Sequence, residues 1–297
     1  MTTWRVWQAL LKPPQHHPLY IRIARAPAIE QLLARALPLT ALVILVMLCI
    51  LPSLISVVLG LLAALPLVFP LIVNLYALRW AITTSSTVAA LRERGLHDLL
   101  CLTPPGALGA TWIVATACVH RDGVFRRLHI LLHSLIGLSF LIMIALSLVM
   151  STGVEPARTS YAVPAGFYID VIGLIVLFYA DYFQTIVLGI TLGLAVSLSE
   201  ADRPVDRILA SAIFPLVQLT LYLLVGLVGF RILPYLYTWL EVTSAVAYVG
   251  LFLIRLVLLC GLREALIVVL WRRIARRADA PEQLLRSAGW KPAFQVR

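Results

Sequence analysis

Long runs of apolar residues, separated by short polar segments, set the pattern of this chain. A helix needs roughly 20 apolar residues to cross about 30 Å of hydrocarbon. Six mostly apolar runs reach that length, at residues 38–63, 66–90, 128–150, 167–198, 208–232 and 245–270. Backbone groups in lipid must be hydrogen-bonded within their own segment, so these runs predict helices. We therefore expect an all-α, polytopic membrane protein with six transmembrane helices.

The polar segments divide the chain into three parts. Residues 1–37 form a cytosolic N-terminal segment, 38–271 hold the six helices, and 272–297 form a basic cytosolic tail. In the first part, Tyr20–Ala36 spaces apolar residues at three and four positions, with arginines on the other side. That spacing predicts an interfacial amphipathic helix, and a plain tether fits it equally well. The first part lacks the apolar core of a cleavable signal, so we expect it to be retained.

Prolines interrupt the first two apolar runs. Pro52, Pro66 and Pro70 each lack a backbone N–H and clash with the preceding turn of a helix. They predict a bend in this region or a separation between the first two spans.

Composition and charge place the chain in a membrane. Apolar residues make up 61% and charged residues 13%, and the mean hydropathy is +0.96, which leaves a soluble domain too little polar surface. Of the 24 lysines and arginines, 19 lie in the N-terminal segment, the even-numbered loops and the C-terminal tail, and the odd-numbered loops hold only Arg158 and Arg231. Basic residues beside spans stay cytoplasmic, so both termini of this multi-pass protein are expected inside the cell (inner or plasma) membrane. This placement favours membrane lipids, and not nucleic acid, as partners.

Motifs for nucleotide or metal chemistry are missing from the sequence. It contains no GxxxxGK(S/T), GxGxxG with an acidic partner, HExxH or GxSxG. Cys49, Cys101, Cys118 and Cys260 form no CxxC pair and predict reduced side chains, not disulfides or metal ligands. We expect no enzyme activity, metal or cofactor in this chain. If ATP drives it, another chain binds the ATP.

One polar stretch between the second and third spans is distinctive, RERGLHDLLCLTP at positions 92–104. One helical face would carry Leu96, Leu99, Leu100 and Thr103, with charged residues around it. The Pro and Gly residues that follow stop the helix. The pattern predicts a short amphipathic helix that docks a partner, and a solvated turn between two spans fits the same residues.

This stretch resembles the signature of the type-2 ABC transporter permease family. The matching residues are Arg92, Glu93, Gly95, Asp98, Leu99, Leu100, Thr103 and Pro104. The layout is similar too, with an amphipathic N-terminal helix, six spans, both ends inside and an aromatic-rich segment before the last span. The resemblance implies a cytosolic coupling helix that docks a separate ABC-type ATPase, which binds ATP and Mg²⁺. It also implies an exporter subunit that works by alternating access, as a homodimer or with a paralogous permease.

Ionisable residues inside the predicted spans are costly to bury and call for partners. Asp181 and Arg255 lie deepest, and we expect an ion pair between them that joins the fourth span to the last. Arg79 of the second span lies nearer an interface, where its head group reaches polar surroundings. Arg263 and Glu264 are adjacent in sequence, so they point to different faces of their helix.

An aromatic segment precedes the last span. FRILPYLYTWLEVTSA places Tyr235, Tyr237 and Trp239 around two leucines, a pattern typical of an interfacial belt or of a hairpin that closes a pathway. In the resembled family such a segment lies near the external gate, so the resemblance implies a gating role for these three residues.

Two other function classes fit parts of the sequence. His129 and His133 have the i, i+4 spacing of haem or pigment ligands, but two histidines on one helical face cannot straddle one macrocycle. A non-transporting anchor or assembly subunit would need the same spans and docking surface as a permease. A polar path discriminates the two, and its candidates are few: Asn74, Thr83, Thr84, Ser85, Ser86, Gln184, Thr185, Gln218 and Thr220. Such an apolar lumen favours a lipid-like or amphipathic substrate.

Overall fold

The computed structural model describes residues 2–24, 55–96, 106–152, 165–198, 203–233, 235–236 and 245–277. Within these ranges the chain is helical and contains no β-strand, which confirms the all-α class. In chain order the helices are α1 Thr2–Leu11, α2 Pro18–Ala24, α3 Ile55–Glu93, α4 Gly106–His120, α5 Val124–Thr152, α6 Ala165–Ser197, α7 Arg203–Leu227 and α8 Ala245–Arg277. A π-helical turn, Val228–Ile232, continues α7.

Among the described residues, three helices contain a stretch long and apolar enough to cross a membrane. These stretches are Val124–Leu141 in α5, Ile175–Ser197 in α6 and Val205–Leu227 in α7. They overlap the third, fourth and fifth predicted spans, so a membrane protein is the class that the helices indicate. The count of six spans and the cytoplasmic position of both termini stay predictions.

The predicted separation of the first two spans is wrong. α3 continues without a break from Ile55 to Glu93, through both Pro66 and Pro70. Proline removes one backbone hydrogen bond, yet apolar helices tolerate it because the flanking turns and neighbouring helices compensate. The start of the first predicted span, residues 38–54, lies outside the described residues.

A buried helix occupies part of the predicted loop between the second and third spans. Every residue of α4 from Leu108 to Val119 is buried. Its Trp112 ring packs edge-on against Trp271 of α8, with ring centroids 5.8 Å apart. The 15 residues of α4 span about 22 Å, which is less than a hydrocarbon core. A search for runs of membrane-crossing length therefore does not find it.

Close packing of backbones joins α3 to α6. A Cβ added at Gly189 would lie 2.7 Å from the Ala77 carbonyl oxygen, and one at Gly193 would lie 2.6 Å from that of Ala81. The two contacts advance by four residues on both helices, so α3 and α6 run parallel. Small residues at such a crossing allow backbones to approach closely in membrane proteins.

The N-terminal helix α1 belongs to the main core. Trp7 and Leu10 are fully buried there, and Trp7 packs edge-on against Tyr182 of α6 at 5.5 Å. The amphipathic helix predicted at Tyr20–Ala36 agrees with the structure only as far as α2, which ends at Ala24. Residues 25–37 lie outside the described residues.

Candidate functional site

A buried ion pair lies between α6 and α8. Arg263 donates Nη1–H to Oδ1 of Asp181 at 2.5 Å, and the two side chains are 0% and 9% exposed. The predicted Asp181–Arg255 pair is therefore wrong, because Arg263 occupies that position. Arg255 instead donates Nε–H to the carbonyl oxygen of Gly229 in the π-helical turn, at 2.7 Å. Depth estimated from sequence does not determine the register of two helices, and 255 and 263 lie about two turns apart.

Amide side chains extend the ion pair towards α3 and α7. Arg263 donates Nη2–H to Gln218 Oε1 at 3.2 Å. Gln218 donates from Nε2 to Asn74 Oδ1 at 2.8 Å and to Thr185 Oγ1 at 3.2 Å. These contacts connect α3, α6, α7 and α8. In the sequence, Asn74, Thr185 and Gln218 were only separate polar residues within apolar runs.

Tyr222 of α7 closes this arrangement. Its hydroxyl donates to Asp181 Oδ1 at 2.9 Å and accepts a hydrogen bond from Asn74 Nδ2 at 3.1 Å. The Arg263 guanidinium carbon lies 5.0 Å from the centre of the Tyr222 ring, within range of a cation–π interaction. We call the six residues the polar cluster: Asn74, Asp181, Thr185, Gln218, Tyr222 and Arg263.

The polar cluster satisfies most of its own hydrogen-bonding groups. Asn74 also donates to the Pro70 carbonyl at 2.9 Å, so its amide and carbonyl are both engaged. Arg263 Nε is buried, and no hydrogen-bond partner for it lies within the described part of the chain. A charge held by this many partners in a low-dielectric interior is costly to expose and favours one arrangement of the four helices.

The other residues proposed for a polar path do not join the polar cluster. The hydroxyls of Thr83, Ser85, Ser86 and Thr220 each donate to a carbonyl of their own helix. Gln184 donates to the Cys260 carbonyl at 3.2 Å, one turn from the ion pair. Of the residues proposed for a polar path, Asn74, Thr185 and Gln218 belong to the polar cluster.

A second ion pair lies where α4 turns into α5. Arg79 of α3 donates Nη2–H to Oδ2 of Asp122 at 2.6 Å, and the side chains are 35% and 12% exposed. The sequence placed Arg79 near an interface but did not identify this partner. The pair attaches α3 to the turn that precedes α5.

α1 is held at both ends by side chains from other helices. Glu264 Oε1 accepts hydrogen bonds from the backbone N–H groups of Thr2 and Thr3, at 2.5 and 3.3 Å. His120 donates Nε2–H to the Leu10 carbonyl oxygen at 2.9 Å. Helix ends leave these groups unpaired, and a carboxylate at the N-terminus also suits the helix dipole. Arg263 and Glu264 do point to different faces, as their adjacency predicted.

Burial governs the chemistry of His120. It lowers the pKa of the imidazole from its ordinary value of 6.5, and the hydrogen bond to Leu10 opposes this shift. The ring is therefore neutral at physiological pH, with its proton on Nε2 facing the carbonyl. In the sequence His120 is a single polar residue in a predicted loop, and no pattern there indicates its hydrogen bond to the end of α1.

The proposed docking motif begins where α3 ends. Arg92 and Glu93 form the last turn, and Gly95 follows with φ +66° and donates its N–H to the Arg92 carbonyl at 2.8 Å. This left-handed conformation suits glycine and is a common way to end a helix. The remaining motif residues lie outside the described residues: Asp98, Leu99, Leu100, Thr103 and Pro104. The coupling helix therefore stays a prediction.

The proposed gate and the histidine pair have different surroundings. Tyr235 is 70% exposed beyond the π-helical turn, while Tyr237 and Trp239 lie outside the described residues.

The His129 ring centre lies 4.3 Å from that of His133 and 6.0 Å from that of Trp7. No cluster of three metal-ligating side chains occurs among the described residues.

No family model, curated protein or solved structure matches this chain. The likeness to ABC permeases therefore rests on the residues of the docking motif and on the layout of the helices.

Proposed function

We propose that this chain is the transmembrane permease subunit of an ATP-driven ABC exporter. The observation that carries the proposal is the course of α3. This helix has 39 residues and a length of about 58 Å, so it is long enough to extend well beyond the hydrocarbon core. It bears Asn74 of the polar cluster and ends at Glu93, inside the docking motif that begins at Arg92.

A single rigid helix thus connects the two regions that a transporter must couple. Asn74 and Arg92 lie 18 positions apart, or about 27 Å along the axis. A partner that displaces the motif at the end of α3 would move Asn74 against Gln218 and Tyr222. ATP binding in the partner would favour one of two arrangements of these helices, which is the requirement for alternating access.

The described surfaces favour a lipid-like or amphipathic substrate. The outward side of α7 carries Leu216, Leu219, Leu223 and Leu227, each between 58% and 64% exposed. Most groups of the polar cluster already bond to one another, and the exposed Thr220 hydroxyl donates to the Leu216 carbonyl of its own helix. A small hydrophilic solute would find few free partners here, whereas an apolar chain would lose no hydrogen bonds. Transport of small hydrophilic solutes alone would contradict this substrate class.

Partners follow from the same proposal. This chain contains no phosphate-binding loop, so a separate ABC-type ATPase subunit supplies ATP and Mg²⁺ chemistry. A second copy or a paralogous permease completes the pathway and presents a second docking motif.

The first test is purification of the tagged chain in mild detergent, with mass spectrometry of the proteins that accompany it. We expect a P-loop ATPase in near-stoichiometric amount. An absorption spectrum of the same sample tests the haem or pigment hypothesis, for which a Soret or chlorin band is required. A coloured sample without an ATPase would overturn the permease proposal.

A non-transporting anchor subunit is the second candidate, and the polar cluster favours it in one respect. Its groups bond to one another across four helices, as expected of a bundle that keeps one arrangement. Cysteine cross-linking between α3 and α7, with and without ATP in the purified complex, separates the two. A permease changes its cross-linking pattern with ATP, and an anchor does not.

A further inference from the structure

α3 and α7 are antiparallel neighbours. Gln218 contacts Thr185 and Tyr222 contacts Asp181, so α7 advances along α6 in the opposite direction. α3 runs parallel to α6, which makes α7 antiparallel to α3 as well. The two helices meet where Asn74 bonds to Gln218 and to Tyr222.

Two ridges of exposed leucines lie on one side of this helix pair. They are Leu71 and Leu75 on α3, and Leu219 and Leu223 on α7. On each helix the leucines lie about 60° and about 100° from the contact residue, Asn74 or Tyr222, in the same rotational sense. Because the helices are antiparallel, equal rotations turn both ridges to the same side. Rotation the other way leads to Ala77 and Phe214, which are buried in one cluster with Leu192 of α6.

A groove therefore lies between the two leucine ridges. The exposed hydrogen bond from Asn74 to Tyr222 lies in its floor. One turn further along α7, Gly226 faces the same side, and no atom lies within 4 Å of a Cβ added to it. Apolar walls with open space at the glycine suit a long apolar chain.

The floor of the groove has hydrogen-bonding capacity of one kind. Asn74 Nδ2 donates to the Pro70 carbonyl and to Tyr222, and the Tyr222 hydroxyl donates to Asp181, so their hydrogens are used. Asn74 Oδ1 and Tyr222 Oη each accept one hydrogen bond within the described residues and have a second lone pair. A head group that bonds here has to be a donor, which excludes ionised carboxylates, ethers and esters.

The charges below the floor add a second restriction. Asp181 and Arg263 compensate each other, so a charged head group would lie in apolar surroundings without a counter-charge. We propose that this groove binds a lipid with an uncharged hydroxyl head group. Its O–H donates to Asn74 or Tyr222, and its chain lies between the leucine ridges. The assignment of this lipid as the transported substrate rests on the proposed function.

Photolabelling of the purified full chain in detergent tests the groove. The probe is hexadecanol with a diazirine on its chain, and mass spectrometry identifies the labelled residues. We expect label on the α3 and α7 segments that carry the four leucines. Unlabelled hexadecanol should compete about three- to tenfold better than hexadecyl methyl ether, which has no hydrogen to donate. Equal or better competition by the ether, by palmitate or by hexadecylamine would overturn the proposal.

Two substitutions make the test local. Tyr222→Phe keeps the ring and removes the hydroxyl, so the preference for the alcohol over the ether should fall. Gly226→Leu fills the groove outside the polar cluster and should remove most of the label, and it decides the matter even where Tyr222→Phe unfolds. The matched control is Gly261→Leu, at a glycine of α8 with equally open surroundings. Full labelling of Gly226→Leu, or an equal loss in Gly261→Leu, would contradict the groove.

The outcome is independent of any ATPase, so the two proposals fail separately. Co-purification of an ATPase without label in the groove would overturn the lipid site and leave the permease proposal in place. Label in the groove without an ATPase would support the lipid site and overturn its role in transport.

Discussion

Arg263 and Asp181 form an ion pair across 2.5 Å at a position where the arginine side chain has no exposed surface. Gln218 and Tyr222 add hydrogen bonds to the two charges, so α6, α7 and α8 share one network. The pair is costly to desolvate, and its partners determine how the helices pack. Any motion of the bundle has to preserve these contacts or replace them.

Removing one partner of this pair should destabilise the protein strongly. Arg263→Gln or Asp181→Asn leaves one buried charge uncompensated, at a cost of about 3–5 kcal/mol. The double variant Asp181→Leu with Arg263→Met should recover most of that loss. Denaturant unfolding in detergent micelles measures the free energy of unfolding, and Arg272→Gln on the surface of α8 is the control. Equal losses in the double and single variants would contradict this assignment.

Alanine at Gly189 or Gly193 should force α3 and α6 apart. The new Cβ atoms would lie within 2.7 Å of backbone oxygens, which cannot move without the helix. We expect a loss of about 1–3 kcal/mol for each. Gly226→Ala is the matched control, since no atom lies within 4 Å of its added Cβ. Thermal unfolding measures the loss of stability in each variant. An equal loss in Gly226→Ala and Gly189→Ala would disprove the close crossing.

Glu264→Ala should release the N-terminal end of α1. The amides of Thr2 and Thr3 lose a charged acceptor, a contact worth about 1.5–3 kcal/mol. Hydrogen–deuterium exchange of the peptide covering α1 should become faster, while the peptides of α6 keep their protection. Glu93→Ala removes an exposed glutamate from the end of α3 and should leave α1 unchanged. Unaltered exchange in Glu264→Ala would mean that core packing alone holds the helix.

Acid should weaken the other end of α1. Burial lowers the pKa of His120 below 6.5, so the folded state binds this proton less readily than the unfolded chain. The contribution of His120 to stability is therefore complete well above pH 6.5 and falls as the pH drops below that value. His120→Gln retains a donor and does not titrate. The stability difference between wild type and this variant, measured across pH, should change only on the acidic side; a constant difference would refute the assignment.

Apolar run length predicted the class of this protein and the sequence positions of α5, α6 and α7, the described helices that are long and apolar enough to cross a membrane. Charge in apolar surroundings correctly marked Asp181 as a residue that needs a partner. It did not identify Arg263, because the register of α6 against α8 depends on contacts between distant parts of the chain. Arg255 lay at a plausible depth, but the π-helical turn offered it the carbonyl of Gly229.

Two helices escaped prediction for a shared physical reason. α4 is too short to cross a membrane, and α1 owes its position to Trp7 and to the contacts of Glu264 and His120. Both are too short to be found as apolar runs of membrane-crossing length, although the buried residues of α1, Thr3, Val6, Trp7 and Leu10, do recur at helical spacing. Asn74, Thr185 and Gln218 were visible as polar residues, and only the fold shows that they meet.

The central claim is that the motif after α3 docks an ATPase, and one comparison tests it most directly. Leu99→Asp with Leu100→Asp places two charges in the docking motif, at positions outside the described residues. Wild type should co-purify with a P-loop ATPase, and the double variant should lose that partner while it inserts in the membrane at normal yield. Leu11→Asp, an exposed leucine of α1, should keep the partner. Recovery of the ATPase with the double variant at the wild-type level would contradict the account.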